Sequence, residues 1–188
     1  MAILQYAIDV IDENRALWLA RQAVDNGVRC IEAGHVLIKA VGVQIVPKFK
    51  DIHPDCMVVA DMKTMDMGAE EVSLAASAGA DLVMVCGAAS DGVVVNAVAA
   101  ARKLGVKITS SLMGVRDQYT RAKQIDAMGV DYILAHRGYD DNFNWTDPEN
   151  MAVLERMAAD VKTPLAIGGA INESNYPMLN DMRFAIII

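Results

Sequence analysis

Aromatic residues make up only 5% of this 188-residue chain. Its core must therefore be assembled from Ala, Val, Ile, Leu and Met, within an apolar fraction of 54%. Such an aliphatic bias suits parallel strands buried beneath helices. Cysteine is equally sparse. Cys30, Cys56 and Cys86 are odd in number, widely spaced and set among apolar residues, which excludes a disulfide framework or zinc pattern and points to buried free thiols in a reducing cytoplasm. No apolar run approaches the roughly 20 residues that a membrane-spanning helix needs. The start, Met1-Ala-Ile-Leu-Gln5, has neither the basic stretch nor the apolar region of a secretory signal. Lys and Arg form no cluster and the net charge is −7, which argues against nucleic acid as a partner. An anionic small molecule stays open, because a site can be locally positive on an acidic protein.

What the chain does contain is alternation. Short apolar runs at residues 3–9, 28–32, 57–61, 82–86, 107–111, 132–136, 165–168 and 184–188 predict strands. Amphipathic stretches at 14–26, 42–52, 69–78, 93–104, 118–128, 148–160 and 173–179 predict helices between them. Gly27, Gly79, Gly105 and Gly129 each follow a helical run, where a left-handed cap favours glycine. Eight strands alternating with helices predict a parallel sheet, and eight is the number that closes a (β/α)8 TIM barrel. An open doubly wound sheet competes, but no Gly-x-Gly-x-x-Gly follows the first strand. With no linker or low-complexity tract, residues 1–188 are expected to form one barrel domain. The chain stops on Phe184-Ala-Ile-Ile-Ile188, inside the eighth strand, whereas such barrels run to about 250 residues. The expectation is a barrel truncated at its C-terminal end, without its final helix.

Barrel active sites lie at the carboxyl ends of the strands. Those ends read Asp9, Glu32, Asp61 with Lys63, Cys86-Gly87, Ser111, His136-Arg137 and Gly168-Gly169, although the strands themselves are almost wholly apolar. Asp61-Met-Lys63-Thr-Met-Asp66 is the most informative stretch. Residues two apart on a strand share a face, so Asp61 and Lys63 should point the same way. Charges at the mouth of an apolar core need a partner or a ligand. Glu32 and Asp61, on neighbouring strands, either pair with Lys63 alone or hold a hard divalent cation with open positions. His136 is either a satisfied strand residue or a general acid/base. His35 lies close enough to contact substrate, and His53 reads as surface. Gly168-Gly169 is either a tight turn or a phosphate-approach site, and Arg137 either an anion clamp or a surface residue.

Asp9, Glu32, the Asp61-x-Lys63-x-x-Asp66-x-Gly68 motif, His136-x-Gly138-Tyr139-Asp140 and Gly168-Gly169, in this order and strand context, resemble the orotidine 5′-monophosphate decarboxylase suprafamily of barrels. Within it the pattern is most similar to the 3-hexulose-6-phosphate synthases and 3-keto-L-gulonate-6-phosphate decarboxylases. The resemblance implies Mg²⁺ held by Glu32 and Asp61 against the vicinal oxygens of a sugar phosphate, with a 1,2-enediolate stabilised there and beside Lys63. It implies catalytic roles for Asp61, Lys63, Asp66 and His136, the last moving a proton at carbon 1. Asp66 would reach a neighbouring site across a homodimer. Asp9, His35, Ser111, Arg137, Gly168 and Gly169 would contact substrate. The implied reaction is condensation of formaldehyde with ribulose 5-phosphate, favoured over decarboxylation because Tyr139 stands where the decarboxylases carry Arg. Arg137, directly after His136, is the decarboxylase choice. Two positions depart from both relatives: Ser111 replaces an acidic residue, and His35 replaces Thr. Ser111 and the missing end also keep open a sugar-phosphate-binding homologue that has lost catalysis.

Overall fold

The protein is described by a computed structural model covering residues 2–141 and 143–188. Eight parallel strands close into a barrel in sequence order, with β8 returning to β1. The strands are β1 (Ile3–Ile8), β2 (Cys30–Ala33), β3 (Met57–Thr64), β4 (Leu82–Cys86), β5 (Lys107–Ser111), β6 (Tyr132–His136), β7 (Leu165–Gly168) and β8 (Ile186–Ile187). The helices are α1 (Glu13–Asp25), α2 (His35–Val41), α3 (Ile45–Ile52), α4 (Gly68–Ser77), α5 (Asp91–Leu104), α6 (Gln118–Asp126), α7 (Pro148–Asp160) and α8 (Tyr176–Asp181). The TIM barrel expected from the alternation is therefore the fold, and the doubly wound sheet is not.

Period-two alternation divides the strand residues between two cores. Cys30, Val59, Leu82, Met84, Leu134, Ala166 and Ile186 turn inward and fill the barrel. Their neighbours, among them Ile31, Val58, Val83, Val85, Ile108, Ile133 and Ile167, turn outward into the larger layer between sheet and helices. Leu4 and Tyr6 of β1 stay 54% and 38% exposed. The expected glycine caps hold, since Gly27, Gly79, Gly105 and Gly129 all take positive φ. Among the described residues no helix is long and apolar enough to cross a membrane.

Four expectations need correction. The helix expected over 42–52 is α3, which starts at Ile45, and a separate helix not expected from the sequence, α2 (His35–Val41), precedes it and is ended by Gly42 at φ 77°. Strand β3 runs on to Thr64, with a register shift between Ala60 and Thr64. The last strand is shorter than 184–188: only Ile186 and Ile187 pair, with two partners in β1 and two in β7. His53, read as surface, is half-buried, and its Nδ1 is buried without a hydrogen-bond partner among the described residues.

Candidate active site

A cavity of about 640 Å³ opens at the carboxyl ends of the strands. Asp9, Glu32, His35, Asp61, Lys63, His136, Arg137 and Gly169 all line it, as the strand-end reading expected. Three expected members do not. Ser111 lies behind His136 rather than facing the cavity, because its hydroxyl is turned onto the imidazole. Gly168 packs against the side chain of Ile188. Asp66 is exposed beyond the rim, its Oδ1 accepting from the Met67 amide, between the exposed side chains of Met65 and Met67.

The bulge in β3 organises the charged centre. Lys63 adopts φ 45°, in the left-handed region that a side chain disfavours, and its Nζ reaches Asp61 Oδ2 at 2.6 Å. Asp61 is almost fully buried, and its Oδ1 makes no hydrogen bond among the described residues. Burial raises its pKa, although Lys63 and His35 pull it back. Glu32 is buried beside it, with Oε2 accepting from Gln5 Nε2. Burial first, and then the Asp61 carboxylate, push the Glu32 pKa up to about 8. His35, at the start of α2, puts Nδ1 3.4 Å from Asp9 Oδ1 and 3.7 Å from Asp61 Oδ2. The turn before α2 demands glycine: a Cβ at Gly34 would sit 2.3 Å from Asp9 Oδ1 and 2.7 Å from the Ile8 carbonyl oxygen.

Two buried carboxylates that repel each other, one with an orphaned oxygen, form a hard-oxygen donor set suited to a divalent cation. Among the described residues no group of three or more His, Cys, Asp or Glu is arranged around one ion. A cation here would take its other positions from water or ligand, the usual habit of Mg²⁺.

The opposite wall carries the imidazole and a cation. His136 Nδ1 lies 2.9 Å from Ser111 Oγ. Burial, then Lys63 and His35, push its pKa down to about 3, so the ring is neutral at physiological pH. Gln118 Nε2 donates to the carbonyls of both Leu112 and His136, each at 3.0 Å, tying the ends of β5 and β6 together. Arg137 is not a surface residue. Its guanidinium stacks 4.2 Å over Phe143, and its Nε is buried without a partner among the described residues. Phe143 packs edge-on to Trp145, whose indole N–H donates to the Gly169 carbonyl at 2.6 Å. A Cβ at Gly169 would fall 2.0 Å from the Arg137 carbonyl oxygen, so the ends of β6 and β7 meet only because that side chain is absent. Gly169 and Ala170 both take positive φ at the cavity wall.

Sequence reasoning missed Gln5, Gln118, Phe143 and Trp145 as parts of this construction. Phe143 and Trp145 inside the otherwise polar stretch 140–148 were the available signal, since large apolar rings there need somewhere to be buried.

An eight-stranded barrel with paired carboxylates, a lysine and a histidine at its strand ends defines the architecture of a sugar-phosphate or nucleotide lyase. Residues 2–187 match the model of the Orotidine 5′-phosphate decarboxylase / HUMPS family, and the chain belongs to that enzyme family. The 3-hexulose-6-phosphate synthase of Bacillus subtilis is 33% identical over 186 residues, covering 98% of this chain and 87% of the relative. The solved 3-hexulose-6-phosphate synthase of Salmonella typhimurium superposes with a TM-score of 0.90 at 27% identity, covering 98% of this chain and 87% of that one. The 3-keto-L-gulonate-6-phosphate decarboxylase of Vibrio cholerae gives 0.85 at 25% identity, covering 100% and 87%.

Proposed function

We propose that this chain is a Mg²⁺-dependent, cytoplasmic aldehyde-lyase of the 3-hexulose-6-phosphate synthase type, joining formaldehyde to ribulose 5-phosphate. The observation that carries the proposal is the convergence of Glu32, Asp61, Lys63 and His136 on one cavity, in a chain 33% identical to a named synthase.

In this reading Glu32 and Asp61 would hold the cation, with the buried Asp61 Oδ1, which has no hydrogen-bond partner among the described residues, left free for it. When bound, Mg²⁺ would supply Lewis-acid polarisation of the vicinal sugar oxygens. Lys63 places its ammonium where negative charge would appear on those oxygens, beside the almost fully buried Asp61. His136 carries the carbon 1 proton. In condensation that proton leaves carbon 1, the carbon pair attacks formaldehyde to make the new C–C bond, and the former carbonyl oxygen takes up a proton to become hydroxyl. Arg137 and the Gly169-Ala170 turn hold the anionic phosphate end, and Asp9 and His35 meet sugar hydroxyls. Asp66, exposed between two methionines, acts in the neighbouring site of a homodimer.

A second reading has one observation in its favour. The half-buried Arg137 cation at the cavity wall, which makes no salt bridge among the described residues, would also suit a substrate carrying a carboxylate, as in decarboxylation of a 3-keto-sugar-acid phosphate. Formaldehyde consumption with ribulose 5-phosphate, set against CO₂ release from 3-keto-L-gulonate 6-phosphate, separates the two. Neither activity with Mg²⁺ present would overturn the lyase proposal.

A further inference from the structure

Ser111 is 1% exposed, so its hydroxyl hydrogen needs an acceptor inside the protein. The Met113 amide donates to Oγ at 3.3 Å. That contact uses a lone pair and leaves the hydroxyl hydrogen still to be placed. Among the described residues the one acceptor within hydrogen-bonding distance of Oγ is His136 Nδ1, at 2.9 Å. Were Nδ1 itself protonated, two hydrogens would compete for the space between these atoms and the buried hydroxyl would lack an acceptor. The satisfied arrangement has the hydroxyl donating to a bare Nδ1.

We propose that Ser111 is the positioning residue of His136, its hydroxyl donating to Nδ1 and thereby fixing the ring proton on Nε2, the nitrogen left for the cavity. This rests on the proposed role of His136 in moving the carbon 1 proton. Gln118 supports the arrangement from the backbone by holding the His136 carbonyl. Burial first, and then Lys63 from β3 and His35 from α2, act against a second proton on the ring, so the neutral ring has to choose one nitrogen.

The choice has a chemical consequence. A ring protonated on Nε2 gives a proton to the substrate and cannot take one there. The direction that delivers a proton to carbon 1 finds the histidine ready: the proton leaves Nε2 as the new C–H bond forms, and the imidazolate left behind, held by the Ser111 hydroxyl at Nδ1, regains a proton on Nε2 from water entering the cavity. The direction that removes it must pass through the other tautomer, which strands the serine hydroxyl. A carboxylate at position 111 would reverse this, accepting from Nδ1–H and baring Nε2 as a base.

The test is ¹⁵N-resolved NMR of the histidine rings in the full chain and in Ser111→Thr, Ser111→Ala and Ser111→Asp, without substrate. His136 should be Nε2-protonated in the parent and in Ser111→Thr, mixed in Ser111→Ala, and Nδ1-protonated in Ser111→Asp. A parent ring protonated on Nδ1, or one tautomer shared by all four proteins, would overturn the proposal. Exchange of the carbon 1 proton of ribulose 5-phosphate in deuterated water, with Mg²⁺, is read in parallel. Ser111→Asp should exchange about 10-fold faster than the parent at neutral pH, the scale on which a partner that orients a reacting group acts. The expected tautomers with no exchange in any protein would support the role of Ser111 and overturn the proton-transfer reading of the site instead. Unchanged exchange in Ser111→Asp despite a flipped tautomer would overturn the stated consequence for proton removal.

Discussion

Lys63 Nζ lies 2.6 Å from Asp61 Oδ2, and it gets there from a backbone held at φ 45°. Sequence alternation alone would have put the two side chains on one face. The register shift between Ala60 and Thr64 adds a bulge that aims the ammonium back across the strand end. A non-glycine residue in the left-handed region is tolerated where the surroundings over-determine it, and such positions gather at functional sites.

That strain can be measured. Lys63→Gly and Lys63→Ala both remove the ammonium and leave Asp61 unpaired, so their difference isolates the backbone. Urea denaturation should find the glycine variant more stable than the alanine variant by about 1–2 kcal/mol. Both should lose roughly 100- to 1000-fold in carbon 1 proton exchange, the scale of removing a preorganised charge-stabilising group. Equal stability of the two would mean that the turn is unstrained.

Glu32 sets a pH dependence whose sign is opposite to that of a salt-bridged carboxylate. Burial, with Asp61 adding to it, raises its pKa from 4.5 to about 8. Between those values the folded protein holds a proton that the unfolded chain has released, so the metal-free contribution is complete below pH 4.5 and lost as pH rises through 8. In EDTA the urea midpoint should therefore fall between pH 5 and pH 8.5, two test values on the order of this window's limits. Glu32→Gln should flatten that fall. Added Mg²⁺ should restore the midpoint at the higher pH and do little at the lower, where the proton must first be displaced.

Gln118→Leu keeps roughly the side-chain volume and strips two carbonyls, those of Leu112 and His136, of their shared donor. The Leu112 carbonyl still accepts from the Val115 amide at 3.1 Å, so it is the His136 carbonyl that goes short, and a buried acceptor left unsatisfied costs about 1–3 kcal/mol. Thermal or urea unfolding should show a loss in that range. Proton exchange at carbon 1 should fall further than substrate affinity, because the end of β6 that carries His136 loses its tether.

Asp66 provides the test of subunit exchange. If it completes a neighbouring site, Asp66→Ala and Lys63→Ala should each be inactive alone. Mixed after partial unfolding and refolding together, they should regain activity, since some sites then combine an intact Lys63 from one subunit with an intact Asp66 from the other. Sedimentation should show a dimer for each. No recovery in a mixture shown to form hybrid dimers would confine Asp66 to a structural role.

Much of this could be read from the letters, and for identifiable reasons. Strands buried on both faces betray themselves by unbroken aliphatic runs, and the first polar residue after each run marks the rim. Asp9, Glu32, Asp61 and His136 all fell to that rule. Other features left no such trace. Nothing in the side chain of Lys63 announces a left-handed backbone, which is imposed by the register of β3 against β4. Gln118 looks like any polar residue in a first helical turn, and only tertiary contact makes it a bridge between two strand ends. Helix α2 left little trace because His35–Val41 is too short a run to show helical periodicity, although Gly42 marks where it stops.

The shortest strand has a bearing on the rest. Ile186 and Ile187 form the only register pairs of the last stave of the cylinder among the described residues, flanked by backbone bonds from Ala185 to Ile3 and Leu165 and from Ile188 to Ile167. Thermal breathing should begin along that seam, where the fewest backbone bonds must part, and where the flank of β1 carries Leu4 and Tyr6 partly bare. Ile188 and Gly169 both stand at that side of the reaction chamber. A wall that loosens there would reshape the phosphate end of the chamber, while the carboxylates and the lysine across it kept their places.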